Sequence, residues 1–131
     1  MSFGSQGDSQ VLRDIIQQLS SKNVILIGAA GNTPDTKPFY PAAYREVLAV
    51  TAIDQGKLAS YANRGSFVSL GAPGTSVVYY QGQAWYVQGT SASSAFISGM
   101  AAGNMETTHN TPSQTQSFLQ SNFGVTIVPA K

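Results

Sequence analysis

The chain contains no cysteine and a single histidine among its 131 residues. Without cysteine it can form no disulfide, no thiolate metal site and no cysteine nucleophile. One histidine also excludes a metal centre that is built from several imidazoles. We therefore expect no metal and no cofactor.

Charged residues are scarce as well. They make up 10% of the chain, and seven Lys and Arg nearly balance six Asp and Glu, whereas an average soluble protein is roughly 25% charged. This balance predicts no nucleic-acid partner. No apolar run approaches the roughly 18 residues of a membrane helix, and the first ten residues lack the features of a signal peptide, so no membrane partner is expected. The polar composition is found in secreted hydrolases and in low-charge cytosolic proteins, and it leans only weakly towards secretion.

Hydrophobic residues make up 42% of the sequence, which is enough for the core of one domain over residues 1–131. Apolar spacing predicts a helix over residues 9–20, followed by buried strands over 23–31 and 47–53 and a shorter one over 67–70. A hairpin is predicted over 77–80 and 84–87, turning at Gly82. Buried small residues predict a helix over 91–106, and Thr111, Pro112 and Gln114 predict the start of another. This order indicates an α/β fold.

The first motif that could carry chemistry is Gly89-Thr90-Ser91. It places a hydroxyl at the start of a helix directly after a strand, where free backbone N–H groups and the helix dipole can stabilise an oxyanion. Ser and Thr are also preferred helix N-caps, so the motif taken alone is more often structural than catalytic.

The second motif is Ala29-Ala30-Gly31-Asn32 at the end of the first buried strand. Loops at the carboxyl ends of strands hold ligands in open α/β sheets. Asn32 could donate its side-chain amide to an oxyanion, but it could equally form a local turn. Taken alone, this motif favours the turn.

The two motifs occur in one order with Tyr40-Pro41, with the strand 47–53, with Gly71-Ala72-Pro73-Gly74 and with Ser98-Gly99. In this order the sequence resembles the C-terminal half of the catalytic domain of the subtilases, the subtilisin-like serine peptidases. The resemblance covers nearly the whole chain. It implies a three-layer α/β/α sandwich with a mostly parallel sheet that is incomplete at its N-terminal side.

The resemblance also implies roles for particular residues. Ser91 takes the position of the nucleophile, and Asn32 takes that of the side-chain donor in the oxyanion hole. A peptide or protein substrate is expected to contact the segment Ser2, Phe3 and Gly4 and the segment Ala29, Ala30 and Gly31. It is also expected to contact Phe39, at the floor of the specificity pocket. A cis bond is expected between Tyr40 and Pro41, as is common in the family.

Several features depart from the family pattern. The sequence contains neither Asp-Thr-Gly nor His-Gly-Thr, which supply the carboxylate and the base of the triad. His109 follows Ser91 by 18 residues, about 27 Å along a helix, so it cannot act as the base. Phe39 stands where a small residue is common, and a ring there is expected to narrow the pocket. Calcium is not expected near residues 42–47, because the strand 67–70 supplies no acid.

Three interpretations follow. The chain could be the C-terminal half of a serine endopeptidase, inactive alone and completed by an N-terminal half. It could instead be a non-catalytic module that binds peptides or forms oligomers, or a generic α/β domain in which both motifs are merely caps and turns. In-frame Asp-Thr-Gly and His-Gly-Thr codons upstream would separate the first two. Because the strand 24–29 is nearly a sheet edge, the chain is also expected to form homo-oligomers or to aggregate.

Overall fold

The computed structural model describes residues 1–127, which contain three helices and six strands. The elements in chain order are α1 (Gln10–Ser21), β1 (Leu26–Ala29), β2 (Val47–Asp54), β3 (Lys57–Leu58), β4 (Leu70–Pro73), β5 (Thr75–Tyr80), β6 (Gln83–Gln88), α2 (Thr90–Thr108) and α3 (Pro112–Phe123). Within this part of the chain, no helix is both long enough and apolar enough to span a bilayer.

The central sheet has β2 in its middle. β1 and β4 both run parallel to β2, and β3 pairs antiparallel with its last two residues. Six of the eight residues of β2 are buried in succession, as expected for a strand that is covered on both faces. The carboxyl ends of β1 and β2 therefore lie side by side, and the loop after β1 emerges at this edge.

Helices cover both faces of the sheet, so the predicted α/β/α arrangement is confirmed. On one face α1 contributes Ile16 to a buried cluster with Leu26 and Val47. On the other face α2 and α3 contribute Ile97 and Leu119 to a cluster with the neighbouring strand residues Ile27, Leu48, Val50 and Leu70. Successive strand residues point to opposite faces, which is why Leu26 and Ile27 belong to different clusters.

Local sequence signals placed several boundaries correctly. Ser9 caps α1 by accepting a hydrogen bond from the Leu12 N–H, and Thr111 and Gln114 form the reciprocal capping box at the start of α3. The hairpin of β5 and β6 turns at Gln81 and Gly82, which both have positive φ, as a two-residue type I′ turn requires.

Two predictions about these elements were wrong. The short strand predicted over residues 67–70 is instead β4, Leu70–Pro73, because Gly71, Ala72 and Pro73 pair with β2. A Cβ on Gly71 would come within 2.8 Å of Ile53 and Val125, so its neighbours require a glycine inside this strand. The helix α2 is buried on one side only, and its residues Ala95, Ser98, Gly99 and Ala102 are exposed.

The outer edge of β1 is only partly covered. The Met1 amine donates to Ile27 O at 2.6 Å, and Met1 O accepts from the Ala29 N–H at 3.0 Å. Val24, just before β1, remains 42% exposed. An apolar edge of this kind can pair with another chain.

We predict that the isolated chain associates through this edge, so that its mass in light scattering rises with concentration. Val24→Lys should move association to higher concentration, because a charge on an edge opposes pairing. Val11→Lys, on the exposed face of α1, is the matched control and should have no effect. A chain that remains monomeric at every concentration would contradict the prediction.

Candidate active site

The two motifs meet where the loop after β1 touches the first turn of α2. The Gly31 N–H donates to Thr90 Oγ1 at 3.1 Å. The Thr90 N–H and hydroxyl both donate to Asn32 Oδ1, at 2.9 and 3.0 Å. Asn32 therefore bonds to a residue 58 positions away, and the local turn favoured by its own motif is wrong.

These bonds fix how the Asn32 amide is turned. A backbone N–H can only donate, so the atom facing Thr90 must be the amide oxygen. The Nδ2 group, the donor, is left on the other side, next to Gly89. A Cβ on Gly89 would lie 3.1 Å from Asn32 Nδ2, and Gly89 has a φ of 146°. The backbone therefore requires glycine at this position.

Ser91 lies in the first turn of α2 and is exposed. The N-cap of this helix is Gly89, which has no side chain, so Ser91 does not serve as the cap. Two residues on, the buried Ser93 hydroxyl lies 3.1 Å from both Ala72 O and Pro73 O, and this anchors the helix start to β4. Within residues 1–127 no protein group bonds to the Ser91 hydroxyl or N–H, so both are free for a ligand.

The segment 2–4 runs along one side of this site and is fixed at both ends. Met1 is bonded to β1, and Ser5 forms a two-bond antiparallel bridge with Tyr40, at 2.9 and 2.7 Å. Between these anchors, residues 2–4 are exposed and make no backbone hydrogen bond within the described chain. Their N–H and C=O groups are available to an extended peptide.

A cleft of about 240 Å³ lies between this segment and the two motifs. It brings together all but one of the residues proposed from the sequence, namely Ser2, Phe3, Gly4, Ala29, Gly31, Asn32, Phe39 and Ser91, with Thr90 in addition. The exception is Ala30. This residue is fully buried, and its N–H and C=O bond to Val50 O and Asn63 Nδ2, so the prediction that it contacts substrate is wrong.

The ring of Phe39 lines the cleft. A Cβ on Gly4 would come within 2.5 Å of this ring, and one on Gly31 within 3.2 Å, so the ring lies against both glycines. The next peptide bond, Tyr40–Pro41, is cis as predicted. The space between the two glycine-bearing segments is therefore occupied by an aromatic side chain.

Asn63 holds the loop that carries Asn32 in place, and the sequence did not predict this role. It is 1% exposed, its Nδ2 donates to Ala30 O at 2.8 Å, and its Oδ1 accepts from the Thr33 N–H at 2.9 Å and from the Asp35 N–H at 3.3 Å. Its own N–H donates to Gly31 O. No sequence signal distinguishes this residue from the turn residues around it.

Asp35 is the acidic residue of the same loop, but its carboxylate is already engaged. It accepts from the Thr36 and Lys37 N–H groups at 2.7 and 3.1 Å and from Gln6 Nε2 at 2.9 Å. The Lys37 hydrogen bond is the largest cause that lowers the pKa of this carboxyl. Asp35 thus stabilises its own turn and the N-terminal segment.

A second and more apolar cavity, of about 420 Å³, begins at Ser91 and runs between α2 and the hairpin. Among residues 1–127, no His, Lys, Arg, Asp or Glu lines either cavity. His109 ends α2 as an exposed residue with a φ of 55°. The described chain therefore presents a serine without a neighbouring base, and it contains no group of three or more His, Asp or Glu residues that could hold a metal.

Comparisons with known proteins find relatives of this chain. The family model described as "Subtilase family" matches residues 1–126. Over 97 residues the chain is 37% identical to the minor extracellular protease Epr of Bacillus subtilis, covering 72% of this chain and 15% of that protein. It is also 37% identical over 105 residues to a thermostable alkaline protease of Halalkalibacterium halodurans, covering 78% and 29%. The chain spans less than a third of either relative.

Solved structures show the same fold. The prenylagaramide maturation protease PagA matches with a TM-score of 0.74 and 30% identity over 82% of this chain and 42% of its own. The self-cleaved protease domain of PatA matches with a TM-score of 0.78 and 28% identity over 88% and 49%. The S41 psychrophilic protease matches with a TM-score of 0.79 and 27% identity over 92% and 47%.

Proposed function

Because the chain belongs to the subtilase family and corresponds to part of a subtilisin-like protease, we propose that it supplies the serine side of a peptidase active site. In this proposal Ser91 is the nucleophile, and the Ser91 N–H and Asn32 Nδ2 form the oxyanion hole. Residues 2–4 pair with an extended peptide substrate.

The proposed chemistry begins with attack of Ser91 Oγ on a peptide carbonyl carbon. The carbonyl oxygen gains negative charge, which the Asn32 amide, the Ser91 N–H and the positive end of α2 stabilise. A single side-chain donor of this kind contributes about 2.7–4 kcal/mol to transition-state stabilisation in subtilisin. The Ser91 proton needs a base, and neither cavity at Ser91 is lined by one.

We therefore propose that the base and its orienting carboxylate come from polypeptide outside this sequence, as a complementing N-terminal half. The alternative is a non-catalytic module that binds peptides or forms oligomers. The observation that favours the peptidase is the pair of hydrogen bonds from Thr90 to Asn32 Oδ1, because they leave the amide donor free at the cleft that Ser91 also lines. A peptide-binding module does not need a donor held in that orientation.

Binding of a product-like peptide tests this proposal. The probe is N-acetyl-tetraalanine with a free carboxylate, whose charge resembles the oxyanion. We expect the NMR signals of the Asn32 side-chain amide and the Ser91 N–H to shift with one common Kd, and Asn32→Ala to weaken binding by about tenfold. The same peptide with a C-terminal amide is the control. Equal shifts with both peptides, or no shift at Ser91, would contradict the oxyanion role.

The ring of Phe39, which lies against Gly4 and Gly31, leaves little space in the cleft, and we therefore predict a preference for small residues before the bond that is attacked. Phe39→Gly should let the cleft accept an acetylated peptide that ends in Phe, raising its affinity by about tenfold because the new space buries the ring. Affinity for the peptide that ends in Ala should hardly change. Tyr79→Ala removes an exposed ring that lines neither cavity and is the matched control. An unchanged order of affinities in Phe39→Gly would show that Phe39 does not set this preference.

A further inference from the structure

The hairpin of β5 and β6 carries most of the exposed apolar side chains of the described chain. Of the eleven large apolar or aromatic residues that are exposed, six lie in this hairpin, namely Val77, Val78, Tyr79, Tyr80, Trp85 and Tyr86. No residue from Thr75 to Gln88 is charged. A cluster of exposed aromatic residues on this scale typically marks a binding surface.

The two strands divide these residues between two faces. Val78 and Val87 line the cavity between the hairpin and α2. Successive strand residues point to opposite faces, so the residues next to these two turn away from α2. The outward residues form what we call the outer hairpin face, which consists of Val77, Tyr79, Ala84 and Tyr86. None of the four lines the cleft or the cavity at Ser91.

Two tyrosines extend from the outer hairpin face into solvent. Tyr86 lies opposite Val77 and Tyr79 lies opposite Ala84, so each ring has a smaller aliphatic neighbour across the sheet. The two tyrosines occupy diagonal positions, about 7–8 Å apart. Tyr79 is 81% exposed and Tyr86 is 70% exposed. They therefore offer two neighbouring aromatic rings to one ligand.

The backbone beside these rings has free hydrogen-bonding groups as well. The hairpin is a separate two-stranded sheet, so within residues 1–127 each of its strands has one edge without a partner strand. The N–H and C=O groups on such an edge can bond to the polar groups of a ligand. A matching ligand thus has flat apolar patches for the rings and many polar groups for the edges.

The chemistry of this surface narrows the class of ligand. An ion on the hairpin would lose hydration and meet no opposite charge there, which disfavours charged ligands. Lipid hydrocarbon would leave the edges without hydrogen bonds. A protein partner binds mainly through anchor residues that fill pockets, whereas the outer hairpin face lines neither cavity at Ser91. A neutral sugar ring combines a flat face of C–H groups with hydroxyls around its rim, so it suits both the rings and the edges.

We infer that the outer hairpin face binds a neutral polysaccharide, with Tyr79 and Tyr86 stacked on its sugar rings. The binding would hold the chain on a glycan surface. This site does not depend on the proposed peptidase, because it shares no residue with the cleft and needs neither Ser91 nor Asn32.

Titration of the whole chain with cellohexaose, followed by NMR, tests the inference. Cellohexaose is neutral and straight, and its rings carry flat C–H faces. We expect the signals of Tyr79, Ala84 and Tyr86 to shift with one common Kd, while those of Asn32 and Ser91 stay in place. A hexamer of glucuronic acid with the same linkage adds a carboxylate to each unit, and it should bind at least tenfold more weakly.

Tyrosine variants on the two faces of the hairpin test whether ring stacking is the cause. Tyr86→Ala should weaken binding of cellohexaose by about tenfold, because one of the two rings is lost. Tyr86→Phe keeps the ring and should retain the Kd within about threefold. Tyr80→Ala is the matched control, because Tyr80 is 64% exposed and lies on the opposite face of the same hairpin. It should leave the Kd unchanged.

Several results would overturn the inference. They are the absence of shifts at Tyr79 and Tyr86 with cellohexaose, equal affinity for the charged hexamer, and equal losses in Tyr86→Ala and Tyr80→Ala. Concentration-dependent shifts of these signals without sugar would identify a second copy of the chain as the occupant, and shifts only with phosphatidylcholine vesicles would identify a membrane. None of these results bears on the proposed function, because its peptide test follows the signals of Asn32 and Ser91.

Discussion

A generic peptide ester should be hydrolysed by the isolated chain no faster than by its Ser91→Ala variant. The reason is that no titratable side chain of residues 1–127 lines either cavity at Ser91, so no general base is placed to accept the hydroxyl proton. In subtilisin, loss of the catalytic serine or histidine lowers kcat by about 2 × 10⁶ and leaves about 10³–10⁴ over water. A residual rate of that size is too small for a routine assay.

Addition of a second polypeptide that carries the missing segments tests whether the absent base is the reason for the inactivity. A fragment of a subtilase relative with its Asp-Thr-Gly and His-Gly-Thr segments should restore turnover by several orders of magnitude. The restored rate should vanish with Ser91→Ala in this chain and with replacement of the histidine in the fragment. Turnover that depends on Ser91 in the pure chain would show that the base lies within this sequence.

Substitution of Asn63 by Ala should lower the free energy of unfolding by about 2–4 kcal/mol. The variant leaves Ala30 O and the Thr33 N–H buried or half-buried without their partner, and these two groups belong to the loop that carries Asn32. The loss is measurable by urea denaturation with an unchanged m-value. We expect the Asn32 side-chain signal to broaden at the same time, because its loop loses its support.

Asn122→Ala is the matched control for this prediction. Asn122 is exposed, and its side chain makes one hydrogen bond to Phe118 O within α3. Its removal should change stability by less than about 0.5 kcal/mol. Asn63→Asp keeps the acceptor for the Thr33 N–H but brings a buried carboxylate oxygen against Ala30 O, so at neutral pH it should cost at least as much as Asn63→Ala. A cost for Asn63→Ala no larger than that of Asn122→Ala would mean that the loop does not depend on this residue.

The parts of the fold that could be predicted from the sequence are those with local causes. Ser9 and Thr111 lie within four residues of the N–H groups that they cap, and Gly82 sits inside its own turn. The buried strands are visible because β2 is apolar on both faces. In each case the information lies within one helical turn or one strand of the residue that carries it.

The errors concern contacts between distant residues. The exposed face of α2 is rich in small residues. Small residues occur both on faces that pack against a sheet and on faces in water, so the sequence does not predict which face of α2 is buried. Ala30 and Asn32 are two positions apart in one motif, yet Ala30 is buried over Asn63 while Asn32 lines the cleft. Asn63 itself acts across 28–33 positions of sequence, so no local pattern indicates it.

The pairing of Met1 with β1 has a practical consequence for protein engineering. The Met1 amine donates to Ile27 O, and Met1 O accepts from the Ala29 N–H, which is the pattern of a parallel bridge. A peptide N–H at Met1 could donate to Ile27 O in place of the free amine. A polypeptide ligated to Met1 would therefore keep the sheet contact and continue alongside Val24 and Ile25. The amino end of this chain is thus a suitable junction for chemical ligation or a split-intein fusion, with the joined segment already in register with the sheet.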